Sequence, residues 1–247
     1  MTWCDKLAST PGIGVMLDKL YTPLEGLLGP LTPIISQWVD RDKQAFTVDA
    51  APDPFNCTLT TFDGYQYSVG PEIFAVEFRH RIRFRPQSAG PPSAELLSKP
   101  APYTELLEQI TTRFIDLLRL VTEGKVRKLR RIGIISTTAV NENEVPPGIL
   151  RFIKYVAKPW ETSADAYNIE LTTKLPKLRT TVVYDRCLHS FTKSEDNEGL
   201  VNIRLDWQRY LDDRNFSLAS LPGLLETAKR DALAYFEELA EGVRFDE

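Results

Sequence analysis

Apolar and polar residues alternate with unusual regularity in the stretch FRHRIRFRP, residues 78–86. Because successive side chains of a β-strand point to opposite faces, this alternation predicts a strand whose aromatic and aliphatic residues face a core. The arginines then share the opposite face of the sheet. They are Arg79, Arg81, Arg83 and Arg85.

Aromatic and β-branched residues are frequent over the whole region from about 45 to 86, which also carries turn signals at Asp63-Gly64 and Gly70-Pro71. This combination of strand-forming residues and turn signals predicts antiparallel strands. A loop rich in proline and serine follows, and it leads to an amphipathic helix that includes Tyr103 and ends at Gly124. We expect the apolar face of this helix to cover the sheet.

The second half of the chain repeats the order of strands followed by a helix. The closing helix runs from about Ser220 to Gly242, with apolar residues at helical spacing. Residues 148–158 fit either a short helix or a strand. The predicted strands of this half lie within 131–140, 166–175, 178–191 and 200–211.

Apolar residues at helical spacing also run through the first forty residues and continue across Pro23. Thr22, Pro23 and Glu25 have the order of an N-cap, a first-turn proline and a capping-box residue, which predicts two short helices. Their apolar face either packs on the rest of the fold or forms an arm that binds a partner. The apolar positions are Ile13, Met16, Leu17, Leu20, Leu24, Leu27, Leu28 and Leu31.

The order strands, helix, strands, helix predicts an α+β fold. We expect antiparallel sheets with two long helices packed on one face, in two similar strand-and-helix halves that resemble helix-grip folds. A helical N-terminal segment would span 1–44 and a single α+β domain 45–247, with halves at about 45–124 and 125–247.

Composition limits the class of protein. The chain has 247 residues, of which 43% are hydrophobic and 26% are charged, as in an ordinary folded protein. A formal net charge of -4 argues against a surface wholly devoted to nucleic acid or anionic membrane, but leaves a local basic patch open. The sequence shows no secretory signal and no uninterrupted apolar run of membrane-spanning length, so we expect a cytoplasmic protein without membrane contact.

Several short motifs together resemble a sporadically distributed family of uncharacterised prokaryotic proteins of about this length. The likeness extends over roughly residues 46–242 and rests mainly on the order of the elements. Its motifs are Arg131-Ile132-Gly133 at the start of a strand, Leu205-Asp206 within another and Phe236-Glu237 in the closing helix. The resemblance implies no activity, cofactor or catalytic residue.

The predicted arginine face could bind phosphate, because a guanidinium group is permanently charged and its planar fork of donors matches phosphate oxygens. Two alternatives remain open: pairing of the arginines with acidic residues across strands, and a dimer interface. Basic residues that could join this face are Arg131, Lys174, Arg179 and Arg204, and acidic residues that could neutralise it are Glu77, Glu170 and Asp206.

A second basic candidate is the run KVRKLRR, residues 125–131, which directly follows the end of the first long helix. Its cations could simply interact with the negative end of the helix dipole or remain solvated. They could also contact nucleic-acid phosphates without reading sequence. The basic residues of the run are Lys125, Arg127, Lys128, Arg130 and Arg131.

No catalytic, metal or nucleotide motif stands out. Asp185, Cys187 and His189 alternate on one predicted strand, but their spacing does not readily bring the three groups into mutual hydrogen-bond contact. We therefore expect no cofactor or metal and favour a non-enzymatic protein-interaction module that also associates with itself. Binding of nucleic acid or a phosphate-bearing ligand is the alternative, and an enzyme or small-ligand binder with a pocket between helices and sheet comes third.

Overall fold

A computed structural model describes most of the chain, and its described part consists of an antiparallel nine-stranded sheet, a separate two-stranded sheet and four α-helices. The predicted α+β class with a large antiparallel sheet is confirmed. The described residues are 2–18, 46–50, 57–61, 63–85, 93–122, 128–157, 166–175, 182–194, 199–212 and 218–243.

The large sheet has the strand order β2-β3-β4-β5-β1-β8-β11-β10-β9, and β6 pairs with β7 in the small sheet. The strands are β1 Thr10–Leu17, β2 Phe46–Ala50, β3 Cys57–Thr61, β4 Tyr65–Val69, β5 Ile73–Phe78, β6 Ile82–Arg85, β7 Ser93–Leu96, β8 Leu129–Asn141, β9 Tyr167–Leu175, β10 Val182–Lys193 and β11 Leu200–Leu211. The helices are α1 Trp3–Lys6, α2 Tyr103–Val121, α3 Pro147–Ala157 and α4 Leu221–Glu241.

Strand β1 overturns part of the predicted N-terminal helix. Residues 10–17 pair with β5 on one side and β8 on the other, in the middle of the sheet. The helical spacing of the apolar residues led to a wrong prediction because Ile13, Val15 and Leu17 also occupy every second position, as on one face of a strand, and all three are buried. Gly12 and Gly14 further disfavour a helix there. Residues 19–44 of the predicted helical segment lie outside the described residues.

The predicted arginine strand is also wrong as a single element. Strand β5 ends at Phe78, which is buried, and β6 begins at Ile82, which is exposed. Between them the chain leaves the large sheet: the amide of Arg79 still donates to the carbonyl of Gly64 beside β4, but the amide of Arg81 donates to Ser98 Oγ and its carbonyl accepts from the amide of Leu97 beside β7. The four arginines therefore do not share one sheet face.

The short helix α1 ties the two long helices together. The indole Nε1 of Trp3 donates to the carbonyl of Phe236 at 2.7 Å, and the Trp3 amide donates to Glu237 Oε1 at 2.8 Å. Asp5 Oδ1 accepts a hydrogen bond from the amide of Thr104 at 2.9 Å, in the first turn of α2. Trp3 and Asp5 thus contact the two long helices that the sequence predicts, α4 and α2 respectively.

Residues 148–158, left open between helix and strand, begin within α3, which covers Pro147–Ala157. Gly148 lies against the C-terminal end of α4, and a Cβ at this position would overlap the carbonyl oxygen of Leu239 and the backbone of Gly242. The close approach of the two helices therefore requires glycine at 148. Among the described helices, none is long and apolar enough to cross a membrane.

Candidate functional site

Polar side chains cover one face of the sheet over β8, β11, β10 and β9. Directly paired residues of antiparallel strands point to the same face, so the register assigns them to rows. We call six of these residues the polar cluster: Arg131, Lys174, Tyr184, Arg186, Gln208 and Tyr210. One row runs Gly133, Gln208, Arg186, Lys174, and the neighbouring row runs Arg131, Tyr210, Tyr184.

The centre of the polar cluster is the side-chain amide of Gln208, which is buried. Its Oε1 accepts hydrogen bonds from Arg186 Nε at 2.8 Å, Tyr210 OH at 3.2 Å and Arg131 Nη1 at 3.4 Å. Its Nε2 donates to Asp206 Oδ2 at 2.8 Å. Two guanidinium groups therefore meet at one neutral acceptor.

Two tyrosines hold the cations of the polar cluster in place. The rings of Tyr184 and Tyr210 stack with centroids 4.3 Å apart. The guanidinium carbons of Arg186 and Arg131 lie 4.9 and 5.9 Å from the centroid of the Tyr210 ring, and Lys174 Nζ lies 5.1 Å from that of Tyr184. Each cation is close enough to an aromatic face for a cation–π attraction.

The three cations of the polar cluster have no directly paired carboxylate among the described residues. Within the part of the chain that the structure describes, no carboxylate forms an ion pair with Arg131, Lys174 or Arg186. Surface arginines commonly pair with carboxylates across strands, so three cations without such a partner indicate a surface that attracts anions.

The polar cluster borders the carboxyl of Asp206, which accepts the hydrogen bond from Gln208 Nε2. Burial raises the pKa of this carboxyl above the ordinary value, although a hydrogen bond from Gln208 and the charges of Arg204, Arg131 and Arg186 act in the opposite direction. Beside it, Gly133 contributes no side chain, and a Cβ there would lie 3.5 Å from Asp206 Oδ1. Because Gly133 has no side chain, the surface of the sheet is recessed next to the polar cluster.

Other predicted members of a basic face are neutralised. Arg204 Nη2 lies 3.0 Å from Glu77 Oε1, and Arg79 Nη2 lies 3.3 Å from Glu77 Oε2. Burial by itself raises the pKa of Glu77, but the two arginines outweigh it and leave the pKa below the ordinary value. Arg204 thus pairs with Glu77 across strands, as the sequence analysis gave in the alternative, whereas Arg79 contacts the same carboxylate from two residues further along the chain.

The remaining arginines of the stretch 78–86 lie away from the polar cluster. Arg81 Nη1 donates to the carbonyl of Thr61 at 3.1 Å. Arg83 and Arg85 are exposed on β6, in the separate two-stranded sheet, where Arg83 pairs in register with Glu95. The structure does not bring these residues together with Arg131.

The basic run 125–131 contributes one residue to the polar cluster, Arg131. Lys128 is exposed, and its amide donates to Asp18 Oδ1 at 3.2 Å. Arg130 is half-buried at the start of β8. Lys125 and Arg127 lie outside the described residues.

Sequence reasoning named Arg131 and Lys174 as residues that could join a basic face, but it missed the other four members of the polar cluster. A signal was present, because Tyr184 and Arg186 are two residues apart on one strand, as are Gln208 and Tyr210 on the next. Assembling them required the pairing of β11 with β10 and β8, which short-range patterns do not give.

Asp185, Cys187 and His189 share the buried face of β10, opposite the face that carries Tyr184 and Arg186. Asp185 binds Arg209 through both carboxylate oxygens, and His189 Nε2 lies 2.8 Å from the hydroxyl of Tyr235. Cys4, the other buried free thiol, has its pKa raised to about 12, chiefly by burial. A thiol that stays protonated is a poor nucleophile.

No protein-family model, curated protein or solved structure matches this chain. Within the described ranges, no three His, Cys, Asp or Glu side chains are grouped so that they could hold a metal ion. The polar cluster is the candidate site because two guanidinium groups converge there on one side-chain amide.

Proposed function

We propose that the polar cluster binds phosphate groups and that the protein is a nucleic-acid-binding or phosphate-ligand-binding module. The observation that carries this proposal is the convergence of Arg131 and Arg186 on the neutral Oε1 of Gln208. Arg186 uses Nε for this contact, which leaves its Nη hydrogens available for a ligand. A phosphate would supply the negative acceptor that the two guanidinium groups lack.

The dimensions of the polar cluster favour a ligand with more than one phosphate. Arg131 lies on β8 and Lys174 on β9, three strand spacings away in the sheet. Neighbouring strands are about 4.8 Å apart, so the cations extend over roughly 14 Å. A single-stranded nucleic acid, whose phosphates repeat along the chain, matches this length better than one inorganic phosphate.

The overall charge limits how the ligand is attracted. With a net charge of -4, the protein as a whole repels polyanions, so affinity must come from contacts inside the polar cluster. Such contacts release counterions from the nucleic acid, and binding should weaken steeply as salt is raised.

Fluorescence polarisation tests the proposal with two probes, a labelled single-stranded oligonucleotide and unlabelled inorganic phosphate as competitor, at low and high salt. We expect the double variant Arg131→Gln/Arg186→Gln to bind the oligonucleotide at least about tenfold more weakly, because it loses charge-assisted hydrogen bonds. The matched control Arg119→Gln/Arg230→Gln removes the same charge from two exposed helix positions and should change affinity little.

The outcomes distinguish the ligand sources. Oligonucleotide binding that depends on the polar cluster and resists phosphate supports nucleic acid, whereas efficient competition by phosphate supports a small phosphate-bearing ligand. The proposal is overturned if the oligonucleotide does not bind and isothermal titration calorimetry detects no binding of inorganic phosphate, or if both double variants weaken binding equally.

A protein-interaction role is the second candidate, and it is the function that the sequence analysis favoured. The observation behind it is the edge strand β9, in which Glu170, Leu171 and Thr172 are exposed in succession. An edge strand with free backbone groups is a template for pairing with another chain. Cytoplasmic location and membership of the sporadic prokaryotic family remain predictions.

We further propose that α2 and α4 cover the same face of the sheet in a helix-grip-like arrangement. Two contacts on a single cross-strand row support this: the Phe114 ring of α2 lies 5.2 Å from that of Phe74, and Asp231 of α4 binds Arg209 at 2.8 Å. Directly paired residues share a face. The row is Phe74, Val15, Ile132, Arg209 and Asp185.

A further inference from the structure

Strand β9 is the last strand in the order of the large sheet as described, and no described strand pairs with its outer edge. It pairs with β10 on one side, and at its centre Leu171 is 38% exposed between two exposed polar residues, Glu170 and Thr172. Natural sheets usually protect such an edge with a proline, a bulge or a covering element. The described part of β9, Tyr167–Leu175, contains no proline and keeps an unbroken register with β10.

The charges of β9 are arranged symmetrically about Thr172. Glu170 precedes this residue by two positions and Lys174 follows it by two, and both are exposed. In an antiparallel pair of identical strands centred on Thr172, Glu170 of each copy lies opposite Lys174 of the other. The pairing therefore makes two cross-strand ion pairs, a stabilising arrangement in sheets.

Other registers lose this match. A two-fold axis perpendicular to the sheet preserves its faces, so the centre can move only by whole residues. Centred on Leu171, the strands would place Glu170 opposite Thr172 and leave both charges without an opposite partner. Centred on Thr172, they also place Ile169 opposite Leu175 on the other face.

We infer that two copies of this chain associate through antiparallel pairing of β9 with β9, centred on Thr172. The inference rests on the interaction role proposed for this edge and names its partner as a second copy. Because one strand edge buries little surface compared with a stable interface, the dimer forms and dissociates with protein concentration. In the dimer Lys174 pairs with Glu170 of the other copy, so dimerisation competes with a phosphate bound at Lys174, while Arg131 and Arg186 of both copies remain on the same face of the combined sheet.

Sedimentation velocity over a concentration series, with charge reversals at the two positions, tests this pairing. We expect Glu170→Lys and Lys174→Glu, each alone, to raise the dimer dissociation constant about tenfold or more, because each places like charges opposite one another. The double variant Glu170→Lys/Lys174→Glu should regain the wild-type constant. An equimolar mixture of the two single variants should form a mixed dimer.

Both positions are exposed, so circular dichroism should show that all variants fold as the wild type does. A wild-type protein that stays monomeric over the series, or a dimer that the single variants leave intact, overturns the inference. The double variant Arg131→Gln/Arg186→Gln changes no residue of β9, so it should keep the wild-type dimer dissociation constant while it loses oligonucleotide binding, and failure of one proposal is distinguishable from failure of the other.

Discussion

Arg209 lies directly opposite Asp185 on the neighbouring strand, and its guanidinium donates to both oxygens of that carboxylate, at 3.0 and 2.8 Å. A third contact, of 2.8 Å, joins Arg209 to Asp231 on α4. The Arg209 and Asp185 side chains are 1% and 2% exposed, so this group of charges is part of the interior. It fixes α4 to the sheet through a charge that must stay paired.

We predict that Arg209→Met destabilises the protein by about 3–5 kcal/mol, because it leaves two carboxylates without their buried partner. Urea denaturation followed by circular dichroism measures the change. Arg230→Met is the matched control, since Arg230 contacts the same Asp231 from a side chain that is 66% exposed. Its cost should stay below about 1 kcal/mol. Similar costs for the two variants would contradict a structural role for the buried group.

Two glycines near helix N-termini should respond in opposite ways to alanine. Gly148→Ala places a methyl group against the backbone of Leu239 and Gly242, and we expect a loss of about 3 kcal/mol. Gly223 has no atom within 4 Å of the position of an added Cβ, so Gly223→Ala should stabilise by about 0.5–1 kcal/mol. Thermal melting of both variants checks the pair, and a stable Gly148→Ala protein would show that α3 and α4 can separate without cost.

Long periodic segments were predictable from the sequence because their own pattern determines them. The closing helix was expected from about Ser220 to Gly242, and α4 covers Leu221–Glu241 with Gly242 at φ 84° as its left-handed cap. The first residues were mispredicted because Ile13 and Leu17 fit two periods at once: four residues apart they share a helix face, and with Val15 between them they alternate as in a strand. Pairing with β5 and β8 decided between the two.

The candidate site was only partly predictable, for a different reason. Arg131 and Lys174 come together with Arg186 because β8, β11, β10 and β9 are neighbours in a register that no local pattern specifies. Conversely, the alternation around Arg81 was regular in the sequence, but the strand is interrupted there, where the Arg81 amide donates to Ser98 Oγ and its carbonyl accepts from the Leu97 amide. Tertiary contacts thus overrode the strongest local signal in the chain.

The raised pKa of Asp206 predicts a dependence of stability on pH. Above its ordinary value of 3.8, the unfolded chain loses this proton while the folded protein still holds it, so stability falls as pH rises through the window above 3.8. Asp206→Asn should remove this loss and make the protein more stable than the wild type at neutral pH. Urea denaturation across a pH series measures the difference, which should shrink towards acid pH.

Asp116→Asn provides the comparison for this series, because Asp116 is 66% exposed and contacts only the exposed Arg119 among the described residues. We expect its stability to follow the wild type at each pH. A neutral-pH gain as large in Asp116→Asn as in Asp206→Asn would show that the general loss of an acidic group, rather than the burial of Asp206, is responsible.

Asp5 should show the opposite dependence on pH. Burial raises its pKa, but hydrogen bonds from Thr104 and Thr2 outweigh burial and leave the pKa below the ordinary 3.8. The contribution of Asp5 to the free energy of unfolding is therefore fully present above pH 3.8. It is lost as the pH falls through the lower pKa that Asp5 has in the folded protein. Because Asp5 accepts from the Thr104 amide in the first turn of α2, Asp5→Ala should cost about 1–2 kcal/mol at neutral pH. The control Lys6→Ala, at an exposed neighbouring position, should change the free energy of unfolding little. If the difference in free energy of unfolding between wild type and Asp5→Ala does not narrow at acid pH, the charge on Asp5 contributes nothing to the cap.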